Sequence, residues 1–173
     1  MILESILSRR STRKFKPTPV TCEQTRTMLT AAMLSPSACN TRPWRFVAIT
    51  SRDKLDNLAE VHPHAKMLQT AQLCIAIVAL PKVQEERPDG LPRGFWPQDC
   101  GAAAQSILLQ AEALGLGSCW CGVYPKDATQ AAVAKALGTA EDEVPFCLIA
   151  IGEKDESPNP RGKYDEEKVT WVE

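Results

Sequence analysis

Two short polar segments near the start of the chain carry the side chains best suited to bind a ligand. The first contains three arginines, Arg9, Arg10 and Arg13, with Ser11 among them. Guanidinium groups donate planar pairs of hydrogen bonds that suit a phosphate, and a serine hydroxyl adds a neutral donor. The second segment, 36–40, offers hydroxyl, amide and main-chain donors without adding charge. Together they predict a site for a nucleotide-like cofactor, with its phosphate on the arginines and its ring on the neutral donors.

A simpler interpretation of the arginine cluster is a solvated surface patch, which is the usual role of a basic run near an N-terminus. Taken alone, the cluster favours that interpretation. The second polar segment, which follows in order after one predicted helix, reverses the preference. We therefore treat the two segments as parts of one binding site.

Length and composition limit the classes of protein to consider. The chain has 173 residues, which suits one domain with a sizeable core, and its 44 % hydrophobic and 24 % charged residues are typical of a globular protein. The net charge of −1 provides no broad field for nucleic acid or an acidic membrane surface. No apolar run approaches the roughly 20 residues of a membrane span. Glu4 stands where a signal peptide would carry positive charge, so we expect a cytoplasmic protein.

Seven cysteines raise the question of a metal site or a disulfide framework. Only Cys119 and Cys121 are close in sequence, and alternate strand positions do not form a zinc-knuckle spacing. His62 and His64 have no cysteine or histidine partner at a recognisable offset. We therefore predict no metal, and interpret the cysteines as small buried thiols in a reducing compartment. A thiol or metal redox protein built on Cys119 and Cys121 is the weaker alternative.

Periodicity predicts the elements that must position these residues. A short first helix leads into the arginine cluster, and Thr21 with Gln24 forms a capping box that opens the second helix. The continuous apolar run 73–80 is typical of a strand buried on both faces. The proline- and glycine-rich segment 81–97 is predicted to be a mobile region or a lid. Further strands are predicted at 44–50, 118–123 and 146–151, and further helices from 51, over 98–114 and over 127–137.

The two polar segments also carry a family resemblance. Arg-Arg-Ser-x-Arg at 9–13, followed by Pro-Ser-x-x-Asn-x-x-Pro-Trp at 36–44, resembles the nitroreductase family of FMN-dependent NAD(P)H oxidoreductases. Segments 96–109 and 115–125 resemble the core helix of that family and the strand that follows it. Segment 146–152 resembles its last sheet strand, and 160–169 its basic tail. Together with the two opening motifs, these four segments follow the order of the family and extend over most of the chain.

The resemblance implies an α+β fold, with a central mixed, largely antiparallel sheet flanked by helices, in an intertwined homodimer. FMN would lie in two clefts at the dimer interface and touch both subunits. The whole of 1–173 would form a single FMN-binding domain, and 153–173 would be an extended C-terminal tail that packs on the partner subunit.

The resemblance also assigns roles to individual residues. The phosphate and the ribityl–pyrimidine side would be held by Arg9, Arg10, Ser11 and Arg13. The flavin would be contacted from the partner subunit by Pro36, Ser37, Ala38 and Asn40. The backbone facing the ring, with one amide near N5, would be that of Trp120, Cys121, Gly122 and Val123. The phosphate would be closed over by Arg161 and Lys163, and Lys66 would lie near N1 and O2 of the flavin, or else be a solvated lysine.

The implied activity is hydride transfer from NADH or NADPH through flavin N5 to an electron-poor small molecule, such as a nitroaromatic, quinone or enone, by a ping-pong mechanism. No catalytic triad is needed, because the flavin carries the chemistry. The alternative is a non-catalytic flavin carrier or sensor, which would use the same phosphate-binding residues. Arg42 and Cys39 depart from the residues that many relatives have in this loop, and the sequence leaves their roles open.

Overall fold

The structure, a computed structural model, describes residues 1–85, 94–159, 162 and 164–173. Within these residues, four strands form one sheet in the order β1-β2-β4-β3, and each neighbouring pair is antiparallel. This confirms the predicted α+β fold and its largely antiparallel sheet. The parallel contribution is the single bridge between Ser11 and Ser118. The strands are β1, Trp44–Ile49; β2, Leu73–Ala79; β3, Leu116–Gly122; and β4, Val144–Glu153.

Helices cover both faces of the sheet, which explains why β2 is apolar at every position. All seven residues of β2 are buried. Ile75 and Ile77 face one core, whereas Cys74 and Ala76 face the other. The first core is completed by α2 and α5, and the second by α3 and α6. The helices are α1, Glu4–Ser8; α2, Cys22–Met33; α3, Arg52–Val61; α4, Lys82–Glu85; α5, Trp96–Ala113; and α6, Asp127–Leu137.

Local sequence signals set several of these boundaries. The capping box of α2 is present as predicted, with the Thr21 side chain accepting from Gln24 N and the Gln24 side chain accepting from Thr21 N. Helix α6 ends at Gly138, whose φ of 66° lies in the left-handed region that glycine adopts without steric cost. Helix α5 begins two residues before its predicted start, and Pro97 lies in its first turn, where its missing N–H costs nothing.

The segment 11–16 crosses the ends of β3 and β4 and thereby anchors the arginine cluster to the sheet. Thr12 N donates to Ser118 O at 2.9 Å, and Lys16 N donates to Glu153 O at 3.0 Å. Phe15 pairs with Lys154 between these two contacts. Strand β3 begins at Leu116, before its predicted start, because this crossing segment and β4 both bind its first residues.

Parts of the sequence predictions fall outside the described residues. The predicted lid, 81–97, includes α4 and the start of α5, but 86–93 lie outside the described residues. So do Arg161 and Lys163, which were assigned to the cofactor phosphate. None of the described helices combines the length and the hydropathy that a membrane span requires.

Candidate functional site

The arginine cluster surrounds a polar cavity of about 310 Å³. It lies where the end of α1 meets the segment that crosses the sheet. The structure thus brings the four predicted phosphate ligands together. We call this the arginine cavity, and its lining residues are Ile6, Arg9, Arg10, Ser11, Arg13, Pro158 and Asn159.

The arginines of this cavity differ in how the fold uses them. Arg10 donates to three main-chain carbonyls, those of Leu7 at 2.8 Å, Arg9 at 2.7 Å and Asn159 at 3.2 Å. Its guanidinium therefore fixes the shape of the cavity wall and ties it to the start of the tail. Arg13 donates from Nη1 to Ser11 O at 3.3 Å, and its side chain is exposed.

A second cavity, of about 510 Å³, shares Arg13 with the first and is therefore adjacent to it. One wall is β3 and the other is the turn between α3 and β2. Trp120 and Tyr124 stand at its rim with 37 % and 38 % of their surface exposed, so they are available to stack against an aromatic ligand. We call this the strand cavity, and its lining residues are Arg13, His62, His64, Lys66, Met67, Cys119, Trp120, Cys121, Gly122, Tyr124 and Lys126.

The wall contributed by β3 is the free edge of the sheet. Just beyond β3, Val123 N and Tyr124 N both donate to Phe146 O at 3.0 Å. Within β3, odd-numbered residues direct their main-chain groups toward β4. Even-numbered residues direct theirs away from β4. Accordingly, Ser118 O accepts from Thr12 N, and Gly122 O contacts the His62 ring. The N–H and C=O of Trp120 lie between these two contacts and face the same side.

The predicted contact loop, 36–40, lies elsewhere in the subunit and lines neither cavity. Asp99 holds it in place: its Oδ1 accepts from Ala38 N at 3.0 Å, and its Oδ2 accepts from Gln84 Nε2 at 2.7 Å. The same Gln84 amide nitrogen donates to Thr41 Oγ1 at 3.1 Å. Asp99 and Gln84 are buried, so these bonds form away from water.

The backbone of this loop is strained. Cys39, Asn40 and Arg42 have φ values of 52°, 54° and 49°, in the left-handed region that non-glycine residues seldom adopt. Three such residues in four positions persist only when the surroundings hold them, and they are characteristic of functional segments. Two hydrogen bonds supply that restraint: Asp99 Oδ1 accepts from Ala38 N, and Ser37 Oγ accepts from Arg42 N at 2.9 Å.

The remaining predicted site residues occupy different environments. Lys66 lines the strand cavity and donates from Nζ to Ala59 O at 3.2 Å. Val123 is fully buried and lines neither cavity. Its N–H is used by β4, and its carbonyl accepts from Lys126 N at 3.1 Å.

The donor set of the two cavities fits FMN. Guanidinium groups and a hydroxyl suit a phosphate monoester. The free main-chain edge and the aromatic rim of the adjoining cavity suit a flat heteroaromatic ring. Arg13 lies between the two, where it can serve both ends of the ligand.

Comparison with known proteins identifies the family of this chain. The family model described as "Nitroreductase family" matches residues 6–66 and 59–153. The chain belongs to the nitroreductase family. A protein of Methanothermobacter thermautotrophicus, provisionally named NADH dehydrogenase/NAD(P)H nitroreductase, is 38 % identical over 168 residues, which cover 97 % of this chain and 85 % of the relative.

Solved structures of nitroreductases agree closely with this one. A Parabacteroides distasonis structure, provisionally named NADH dehydrogenase/NAD(P)H nitroreductase, is 33 % identical with a TM-score of 0.89, covering 97 % of this chain and 95 % of its own. An FMN-dependent nitroreductase from Clostridium difficile is 30 % identical with a TM-score of 0.87, covering 98 % of both chains. The predicted family and the predicted fold class are therefore confirmed.

The two thiols of the strand cavity of this nitroreductase differ in acidity. The pKa of Cys119 is lowered to about 7, first by a hydrogen bond with Cys121 and then, against its burial, by the charges of Arg13 and Arg9. The same hydrogen bond and burial raise the pKa of Cys121. Cys121 Sγ also lies 3.4 Å from Met67 Sδ. Among the described residues, no three His, Cys, Asp or Glu side chains form a group that could hold a metal ion.

Three contributors to the nitroreductase site were not predicted as binding residues. Asp99 supports the contact loop from helix α5, and its partner Gln84 lies in a segment that was interpreted as a lid. His62 was considered only as a metal ligand. Asp99 and His62 act through contacts with main-chain groups that are distant in sequence, and no local spacing signals such contacts.

Proposed function

We propose that this chain works as a homodimer that passes hydride from NADH or NADPH through FMN to an electron-poor small molecule in a ping-pong cycle. Nitroaromatics, quinones and enones are the acceptor classes in question. The chain is an FMN-dependent NAD(P)H oxidoreductase of the nitroreductase family. The observation that carries the finer proposal is the junction at Arg13, where a polar arginine cavity meets a cavity walled by a free strand edge.

The arginine cavity would hold the phosphate. FMN phosphate carries about two negative charges at neutral pH, by analogy with other phosphate monoesters. Arg9, Arg13 and Ser11 would donate to it, while Arg10 keeps the wall in shape through its three carbonyl contacts. In the proposed site Arg161 and Lys163 would add charge from the tail.

The strand cavity would hold the flavin ring, which supplies the hydride-transfer chemistry when bound. The free edge at Trp120 and Gly122 would provide main-chain groups to the ring. Lys66 and Arg13 line this cavity and would stabilise negative charge on the pyrimidine side. A cation at that position favours the reduced cofactor, because reduction adds negative charge there.

The size of the strand cavity supports the proposed ping-pong order. Its volume of about 510 Å³ lies within the range of about 300–1,000 Å³ that is usual for one small ligand. With a flavin ring in place, the nicotinamide and the acceptor would have to use the remaining face in turn. Trp120 and Tyr124 at the rim would stack against either of them.

The homodimer is supported by the surfaces that one subunit leaves uncovered. The apolar side chains of Ile2, Leu3, Ile6 and Leu7 on and before α1 are exposed, as are Trp171 and Val172 in the tail. The contact loop at 36–40 lines neither cavity of its own subunit. We propose that this loop reaches the flavin of a second copy, and that 153–173 packs on that copy within one domain spanning 1–173.

The buried thiols Cys74, Cys100 and Cys147 fit a reducing cytoplasm.

The decisive experiment is an absorbance spectrum of the purified protein, recorded before and after anaerobic addition of NADH and then NADPH. A flavin band that either nucleotide bleaches, and that a quinone then restores, is the expected result. A band that neither nucleotide bleaches would favour a flavin carrier. Absence of a band after reconstitution with FMN would overturn the assignment. Light scattering would test the dimer separately, and a monomer would overturn that part.

A further inference from the structure

His62 connects the two walls of the strand cavity. It follows the last residue of α3, and its ring is 1 % exposed although it lines that cavity. A polar ring is buried at a cost unless it forms hydrogen bonds. Both nitrogens of this ring do: Nε2 lies 3.0 Å from Gly122 O on β3, and Nδ1 lies 3.1 Å from the main-chain N of His64.

These two contacts determine which nitrogen of the His62 ring carries the hydrogen. The main-chain N–H of His64 can only donate, so Nδ1 must accept and cannot carry a hydrogen. In a neutral imidazole the other nitrogen then carries the hydrogen. Nε2–H therefore donates to Gly122 O. The ring is a neutral bridge with one donor and one acceptor, and each is used once.

The bridge fixes the part of β3 that would face the flavin. Gly122 O lies on the free edge, and its bond to His62 holds one end of that edge. The bond from Thr12 N to Ser118 O holds the other end. Between them lie the outward-facing main-chain groups of Trp120.

The opposite wall depends on the same ring. His64 N–H bonds to its Nδ1, and Ala65 N bonds to His62 O at 3.1 Å. These contacts shape the turn that leads directly to Lys66. His62 therefore sets the position of a cation and of a strand edge relative to each other.

We propose that His62 is a positioning residue for the flavin: through Gly122 O it orients the free edge of β3, and through His64 it orients the turn that carries Lys66. This inference rests on the proposed function, since it assigns the ring of FMN to the strand cavity. His62 acts through the main chain and does not itself take part in hydride transfer.

Two substitutions separate the two ends of the bridge. In His62→Gln the side-chain amide reaches as far as Nε2 and can still donate to Gly122 O, but nothing accepts from His64 N–H. In His62→Asn the shorter side chain can still accept from His64 N–H, but Gly122 O loses its donor. Each variant loses one buried hydrogen bond, so both should lose similar amounts of stability.

FMN affinity, the reduction midpoint of the bound flavin and amide NMR distinguish positioning from stability. We expect His62→Asn, which frees the edge of β3, to weaken FMN binding about tenfold. We expect His62→Gln, which frees the turn that carries Lys66, to weaken FMN binding by less than about threefold but to lower the reduction midpoint, because a cation near the pyrimidine side stabilises the reduced flavin. In FMN-free protein the amide signal of Val123, which shares a peptide group with Gly122 O, should move in His62→Asn and stay in place in His62→Gln. Titration with FMN alone gives the affinities, and denaturant unfolding checks that both variants fold.

The outcomes separate this inference from the proposed function. A natural FMN affinity in His62→Asn, or a natural midpoint in His62→Gln, would overturn the positioning role while leaving the proposed function intact. An unmoved Val123 signal in His62→Asn would overturn the inferred bond geometry without reference to the cofactor. Failure of the natural protein to bind FMN would overturn both.

Discussion

Gly117 and Thr12 are in closer contact than any other side chain at position 117 would permit. A β-carbon added at Gly117 would lie 2.7 Å from both Cγ2 and Oγ1 of Thr12. The adjacent bond from Thr12 N to Ser118 O holds the two segments together at this point. The absence of a side chain at Gly117 thus allows the segment with Arg9 and Arg13 to lie on the sheet.

The substitution Gly117→Ala should therefore displace the arginine segment from β3. We expect FMN affinity to fall by about tenfold or more, and the free energy of unfolding to fall by about 1–3 kcal/mol, because the new methyl group overlaps a buried side chain. Isothermal titration with FMN and urea unfolding measure the two effects. The control is Gly101→Ala on α5, where the added carbon would lie 3.9 Å from Trp120 in ordinary contact and alanine favours the helix. Natural FMN affinity in the Gly117 variant would show that this contact does not position the arginines.

Removing two guanidinium groups tests the phosphate site directly. Arg9→Ala combined with Arg13→Ala should release FMN, since the phosphate would lose two of its charged donors. Gel filtration followed by the flavin-to-protein absorbance ratio gives the retained fraction. A matched control removes two exposed lysines that line neither cavity, Lys54→Ala with Lys135→Ala. Full flavin retention in the arginine variant would count heavily against the assigned site.

The sequence was sufficient to predict an element where the residues that determine it lie close together in the chain. The capping box of Thr21 and Gln24 and the apolar run of β2 gave the correct elements because their causes lie within a few residues. The role of Gly117, in contrast, depends on its contact with Thr12, which is distant in sequence. The support from Asp99 and His62 was missed for the same reason: each acts on a main-chain group more than 50 residues away.

The left-handed loop at 39–42 should depend on Asp99. In Asp99→Ala both Ala38 N–H and the Gln84 amide lose a buried acceptor, and each such loss costs about 1–3 kcal/mol. We expect lower stability in urea and loss of FMN from the assembled protein. Asp127→Ala is the matched control, because it also removes an acid from the first turn of a helix. If the two variants lost equal stability, the general effect of a first-turn acid would explain the result and Asp99 would not be a specific support.

Buried thiols should make the protein sensitive to alkaline pH. Burial is the main cause that raises the pKa of Cys74 and of Cys100 from 9.0 to about 12. The folded state therefore binds their protons more tightly than the unfolded state. Their contribution to the free energy of unfolding is complete below pH 9 and is lost progressively as pH rises from 9 toward 12.

Urea unfolding at pH 7, 8, 9 and 10, in the presence of a reductant, measures this contribution. Above pH 9 the free energy of unfolding should fall with a slope that approaches about 1.4 kcal/mol per pH unit for each thiol. The variant Cys74→Ala with Cys100→Ala should be less stable at pH 7, because alanine leaves space in the core, but its stability should fall less steeply above pH 9. Cys22→Ala, which changes an exposed thiol, should keep the natural slope. Parallel curves for the natural protein and the double variant would show that these two thiols do not control the alkaline loss, since a group that titrates equally in both states adds no slope.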